Sequence, residues 1–228
     1  MKLHLLGCLL IASIAHAEKS YVIQGDDMGD VSIHVVDFPS EENFGFEAFA
    51  GKRGLFISEC YAEADHLLAF NGGYFDGNLN PVGYCRIANT DLSTEVAPRL
   101  SGYLTTSEEG VMELHWKRIP EGSYRDIIQS GPFIIDPGGK IGIHTRTGSP
   151  AQRTVVCQTT DGRILILTTT EVYLYDLARV IQKTIPDVDR ALNLDGGPSV
   201  GLIYKDIVIE NVNPIANVIR KLRRVEVV

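Results

Sequence analysis

Short apolar runs of strand length, cut by glycine and proline turns, constrain this chain more than any other feature. Such runs occupy residues 31–38, 100–106, 111–116, 133–136, 153–159, 164–169 and 201–209, and alternating or continuous apolar stretches of this length read as β-strands. Asp161-Gly162 separates two of them and Pro137-Gly138-Gly139-Lys140 sits between 133–136 and 141–144. Asp-Gly is a favoured two-residue hairpin turn, because glycine tolerates the positive φ that the turn demands. One long helix is expected over 173–185, where Tyr173, Leu177, Val180, Ile181 and Ile185 recur at helical spacing and Pro186 stops the run. A shorter helix is expected over 58–64. The fold class is therefore α+β, a mostly antiparallel or mixed β-sheet core with few helices.

The N-terminus reads as an export signal. Met1-Lys2 is positive, 3–14 is mostly apolar and Ala15-His16-Ala17 has the small-x-small pattern of a cleavage point. This predicts a signal peptide over 1–17 and a single domain over 18–228, periplasmic or extracellular. Leu5-Leu6-Gly7-Cys8 resembles a lipoprotein box, but the apolar stretch before Cys8 is shorter than the ~7 residues an h-region needs. No run approaches the ~18 apolar residues of a membrane span. With a net charge of −8 and no Lys/Arg-rich stretch, the chain lacks the clustered positive charge by which proteins grip nucleic acid.

Export permits disulfides. Beyond the signal, Cys60, Cys85 and Cys157 remain, so at most one internal bridge forms. Cys157 lies in an apolar strand, which leaves Cys60 with Cys85 as the candidate pair. Three free buried thiols are the alternative, since free Cys behaves as a small hydrophobe.

Several motifs are decoys. Gly197-Pro198-Ser199-Val200-Gly201 matches G-x-S-x-G, but the nucleophile elbow leads into a helix, and here a strand follows. No His follows Ser199 to complete a triad. Asp76, Asn78 and Asn80 have calcium-loop spacing, yet Pro81 and Ile87 stand where the loop needs Gly and a bidentate Glu. A turn is the simpler reading. His34, His66, His115 and His144 are scattered, so no zinc set is visible. No phosphate-binding glycine motif implies a nucleotide. Neither a metal nor a cofactor is expected.

Polar residues gather instead on glycine-rich turns: Asn71-Gly72-Gly73-Tyr74-Phe75-Asp76, Gln129-Ser130-Gly131-Pro132, Arg153-Thr154 and Asn193-Leu194-Asp195-Gly196-Gly197-Pro198-Ser199. The first and last also echo each other, each being a short apolar strand after a helix that ends in Asn or Asp followed by Gly-Gly. Their glycine turns are expected at equivalent strand ends.

In this order and spacing the four segments resemble the phosphodiester glycosidase family, over about 55–209. The shared pattern is N-G-G-[YF]-F, a P-x-G at Pro81-Val82-Gly83, Q-x-G-P, an R-T strand, a D-G hairpin, an amphipathic helix and N-L-D-G-G-x-S. Pro198 replaces a usual Gly, and Glu171 to Leu174 replaces a usual Gly-containing helix start. The resemblance implies a hydrolase that cleaves a sugar-1-phosphodiester, of the N-acetylhexosamine type, to free sugar and a phosphomonoester.

That chemistry asks for positive or N–H-rich contacts to the phosphate and a carboxylate near the anomeric carbon. Arg153 can offer a bidentate fork to phosphate oxygens. The Gly72-Gly73 and Gly196-Gly197 turns are expected to expose N–H groups as an anion-binding concavity. Asp195 is the candidate carboxylate and Asp76 the second acid, because both lie on turns that a ligand can approach closely. Asn71, Gln129, Gly131, Thr154, Asn193 and Ser199 are expected around the sugar. Two alternatives keep the fold: an exo-glycosidase on a surface glycan without phosphate, and a non-catalytic glycan-binding protein that uses Tyr74, Phe75 and Tyr84 as stacking faces.

Overall fold

A computed structural model describes residues 19–24, 31–39, 42–49, 53–62 and 66–222. The expected signal peptide and Cys8 lie outside these residues. In chain order the elements are β1 (Lys19–Gln24), β2 (Ser32–Phe38), β3 (Phe44–Ala48), α1 (Ile57–Ala62), β4 (His66–Asn71), β5 (Cys85–Ile87), β6 (Thr90–Ser93), β7 (Gly102–Thr106) and β8 (Met112–Trp116). There follow β9 (Asp126–Ser130), β10 (Phe133–Asp136), β11 (Lys140–Ile141), β12 (Thr154–Thr159), β13 (Ile164–Thr169), α2 (Leu174–Thr184), β14 (Val188–Asn193), β15 (Leu202–Tyr204), β16 (Ile207–Ile209) and β17 (Asn217–Leu222). The α+β reading holds: among the described residues the strands form three antiparallel sheets, and two α-helices accompany them.

The first sheet runs β1-β2-β13-β12-β14-β10-β11, the second β16-β15-β4-β17-β3 and the third β6-β5-β9-β7-β8. A central core where the sheets meet takes Val36 and Phe38 from β2, Phe70 from β4, Leu104 from β7, Phe133 from β10, Ile166 from β13 and Ile219 from β17, all buried. The first sheet's other face packs Val35, Val155 and Leu167 against Leu177, Ala178 and Ile181 of α2. The second sheet's other face packs Ala69, Ile203 and Val218 against Ile57 and Cys60 of α1. Strands covered on both sides cannot alternate, which is why β13 reads Ile-Leu-Ile-Leu and is buried throughout. Each such side chain contributes about 1.5–3 kcal/mol when fully buried.

The Asp161-Gly162 turn joins β12 to β13 as expected, with Gly162 at φ +87°. The helix expected over 173–185 is α2, flanked by Tyr173 and Ile185 at its caps. The single strand expected over 201–209 is instead the hairpin β15–β16, because Lys205 adopts φ +52° and turns the chain. Cys60, Cys85 and Cys157 are buried, and no disulfide joins any two of them. Cys60 packs in the cluster under α1 and Cys85 in the central core, so the Cys60–Cys85 bridge does not form. Among the described residues no helix is long and apolar enough to cross a membrane.

The ends of β4 and β14 and the starts of β12 and β15 converge. Asn71 N donates to Gly201 O at 3.2 Å, and Leu194 N to Thr154 O at 2.9 Å. Residues far apart in sequence therefore share one polar corner.

Candidate active site

Asp195 stands at the centre of that corner. Its main chain is fixed on both sides, with N donating to Gly72 O at 3.3 Å and O accepting Asn71 Nδ2 at 2.8 Å. The two glycine turns of the sequence echo thus meet. The Asp195 carboxylate accepts Gly196 N at 2.9 Å and the Ser199 hydroxyl. Burial nonetheless dominates and raises its pKa above the ordinary carboxylate value, since desolvation penalises the charged form. A partly shielded carboxyl of this kind suits proton transfer or stabilisation of developing positive charge.

Arg153 comes in from the start of β12. Its Nε donates to Val172 O at 3.2 Å and Nη2 to Ser149 O at 2.9 Å, so main-chain carbonyls hold the guanidinium in place. Burial lowers its pKa. No carboxylate pairs with it among the described residues, and Nη1, which makes no hydrogen bond there, lies on the Gly196 side. A Cβ built on Gly196 would sit 3.8 Å from Nη1. The expected full fork to phosphate is therefore partly spent, and Cδ and Nη1 are the parts of the side chain nearest Gly196.

Tyr74 completes the group. Its hydroxyl donates to Gly131 O at 3.0 Å and accepts Asn193 Nδ2 at 2.7 Å. Burial, and then the nearby charge of Asp195, raise the phenol's pKa, while Arg153 opposes them. The phenol thus lies in the field of both candidate catalytic groups. Asn193 Nδ2 also reaches Leu194 O at 2.7 Å and Gly131 O at 3.3 Å, and its Oδ1 is buried with no partner among the described residues.

The remaining residues expected at the sugar hold the corner together. Asn71 is 1% exposed; its Oδ1 accepts the Thr154 hydroxyl at 2.6 Å and Gly201 N at 3.1 Å, so Asn71 and Thr154 are spent on each other and on backbone. Gln129 Oε1 accepts Tyr84 N and Ala97 N, and Nε2 donates to Ala97 O and Leu100 O, which exhausts the amide. It clamps the 97–100 loop instead of facing a ligand. Gly131 contributes only its carbonyl, at a φ of +155° where a Cβ would meet Ser101 N at 2.6 Å.

The glycine amides do not form the expected concavity. Gly72 N and Gly73 N donate to Asn217 O and Oδ1 at 3.2 and 2.7 Å, Gly196 N to its neighbour Asp195, and Gly197 N to Gln152 O at 2.9 Å. Close packing explains these glycines: a Cβ at Gly72 would lie 2.0 Å from Asn217 Oδ1 and one at Gly196 2.9 Å from Gln152 O. Asp76 is exposed, and its Oδ1 accepts Asn78 N and Asn80 N at 2.8 and 2.9 Å while Oδ2 accepts Asn80 Nδ2 at 3.2 Å. Those hydrogen bonds hold its pKa down and turn its carboxylate onto its own loop.

Two residues matter here beyond the roles foreseen. Asn217 was invisible because nothing on its strand marks it as a partner of the Gly72-Gly73 turn. Tyr74, a stacking face by sequence, has a hydroxyl role that its neighbours Asn193 and Gly131 signal only once folding brings them together.

Comparison with known proteins agrees with this fold. The catalytic domain of zebrafish N-acetylglucosamine-1-phosphodiester α-N-acetylglucosaminidase, in a structure described as auto-inhibited by its pro-peptide, superimposes with a TM-score of 0.72 at 17% identity, covering 93% of this chain and 85% of that one. A hypothetical protein from Synechocystis gives 0.67 at 11% identity, over 89% of this chain and 61% of its own. A Burkholderia pseudomallei protein described as exported gives 0.66 at 10% identity, over 85% and 74%. At these identities the likeness shows the fold. No curated protein sequence matches the chain. The family model for phosphodiester glycosidase matches residues 65–228, from the strand that delivers Asn71 through the turn that carries Asp195, and the chain belongs to the phosphodiester glycosidase family.

Proposed function

We propose that the protein hydrolyses a sugar-1-phosphodiester, with an N-acetylhexosamine-type sugar, to free sugar and a phosphomonoester, outside the cytoplasm after removal of residues 1–17. The observation that carries this reading is Arg153. A cation without a carboxylate partner among the described residues, with Nη1 near Gly196 beside a desolvated carboxyl, suits an anionic group attached directly to the reacting carbon.

In this reading the phosphate docks on the Nη edge of Arg153 and the anomeric carbon lies by Asp195. The C1–O bond breaks and its electron pair leaves with the phosphate, a stable anion that needs little protonation. Asp195 stabilises the positive charge that develops in the sugar ring. Water adds its oxygen to C1 and gives up one proton, which Asp195 accepts and passes to solvent. Tyr74 borders the sugar, its hydroxyl held by Asn193.

Turnover of N-acetylglucosamine-1-phosphodiesters by purified residues 18–228, with Asp195→Asn as control, tests the proposal. Release of free sugar, lost in the control, supports it. A folded protein that is inactive on diesters but active on aryl glycosides of the same sugar would replace it with the exo-glycosidase reading.

A further inference from the structure

The two carbonyls that hold the Arg153 guanidinium are themselves held very differently. Val172 O, which accepts Nε, belongs to a residue paired in both directions with Ala151: Val172 N donates to Ala151 O at 3.0 Å and Ala151 N to Val172 O at 3.3 Å. Ser149 O, which accepts Nη2, lies on an exposed loop. Among the described residues, the hydrogen bonds and ion pairs that tie residues 144–150 to other elements are that of Ser149 O with Arg153 and that of Arg146 with Asp176. The loop is thus anchored outside the site by one side chain.

That side chain is gripped twice. Arg146 Nε donates to Asp176 Oδ2 at 2.9 Å, and its guanidinium carbon lies 4.3 Å from the centroid of the Tyr173 ring. Tyr173 and Asp176 are three apart at the start of α2, a spacing that brings side chains together on one helix face. Asp176 also sits in the first turn, where the helix dipole favours a carboxylate. The stretch 172–176 therefore holds Arg153 by a main-chain carbonyl and Arg146 by two side chains. Resting on the phosphodiester reading above, we infer that Arg146 is a positioning residue for Arg153. Its grip on α2 fixes the loop, the loop fixes the Ser149 carbonyl, and that carbonyl keeps the guanidinium turned with Nη1 near Gly196.

A guanidinium held through Nε alone can swing about that one hydrogen bond; a second bond from Nη2 fixes its plane. The clip itself is exposed, and exposed ion pairs and cation–π contacts stabilise a fold only slightly. Catalysis is far more sensitive than stability to a small misplacement of a binding group. Loss of Arg146 should therefore lower activity while leaving the fold intact.

The test reads Arg153 directly. In isotope-labelled protein the Arg153 Nε–H NMR signal, assigned by its loss in Arg153→Lys, should shift or broaden in Arg146→Ala. Arg146→Lys, which keeps a cation beside Asp176, should lie between, and Asp176→Asn, which loosens the clip from the helix side, should act in the same direction as Arg146→Ala. On an N-acetylglucosamine-1-phosphodiester, Arg146→Ala should lower kcat/KM by about tenfold, with the urea midpoint nearly unchanged. In an Arg153→Lys background the same substitution should cost less than about twofold, because the guanidinium that it positions is gone. An unmoved Arg153 signal, or an equal loss in both backgrounds, overturns the positioning role. Absence of diester hydrolysis by folded wild-type protein overturns the phosphodiester reading instead, and the Arg153 signal still decides whether Arg146 positions it.

Discussion

Asn71 Nδ2 donates to the carbonyl of Asp195 at 2.8 Å, tying the end of a strand in one sheet to the turn that ends a strand in another. The same side chain accepts from Thr154 and Gly201 through its Oδ1. One buried amide thus sets where the candidate carboxylate stands.

Asn71→Ala should therefore cost stability and activity together. It leaves the Gly201 amide, the Thr154 hydroxyl and the Asp195 carbonyl without their buried partner, at about 1–3 kcal/mol for each group left unsatisfied. Urea unfolding should show a loss of at least about 2 kcal/mol. A loss below about 0.5 kcal/mol would mean that the corner is held by other contacts.

Asp195→Asn should separate activity from stability. Burial raises the Asp195 pKa, so the folded state binds this proton more tightly than the unfolded state. The wild-type contribution is fully present below the ordinary carboxylate value and is lost as pH rises from there through the raised one. The Asn variant does not titrate. Its unfolding free energy relative to wild type should thus rise between pH 3 and pH 7, while turnover falls by about a thousandfold. A relative stability that falls with pH would place Asp195 in a stabilising charge pair.

Tyr74→Phe keeps the ring and removes the hydroxyl between Asn193 and Gly131. Asn193 should then lose its orientation, lowering kcat by about tenfold with a stability cost of about 1 kcal/mol, the net worth of a hydrogen bond. Unchanged kcat would restrict Tyr74 to a packing role.

Gln129→Ala should act on stability alone. All four hydrogen-bonding positions of this amide serve the backbone of the 84 and 97–100 segments, so about 2–3 kcal/mol should be lost. KM of the folded enzyme should move by less than about twofold. A larger rise in KM would return Gln129 to the sugar site.

What could be read before folding was whatever depends on neighbours in sequence. The β12–β13 hairpin follows from Asp161-Gly162, and α2 from the apolar spacing of Tyr173 to Ile185 and the stop at Pro186. The turn at Lys205 was missed because it takes a positive φ without a glycine to announce it. The strand carrying Asn217 was missed for want of any turn or motif beside it. At the site, the sequence pattern indicates segments that the fold brings together, but not the direction of their side chains. Asn71 and Gln129 are chemically suited both to a sugar and to buried backbone, and only tertiary geometry decides between these. The glycine turns were equally ambiguous: Gly72 and Gly196 allow close approach, but what approaches is Asn217 and Gln152.

The central claim, that Arg153 holds a phosphate beside Asp195, is tested most directly by Arg153→Lys on matched substrates. Kinetics on an N-acetylglucosamine-1-phosphodiester and on an aryl N-acetylglucosaminide should show the diester's kcat/KM falling about a hundredfold, with any aryl glycoside activity unchanged, because a point charge cannot replace the anchored guanidinium edge. Equal loss on both substrates, or none on the diester, would contradict the account.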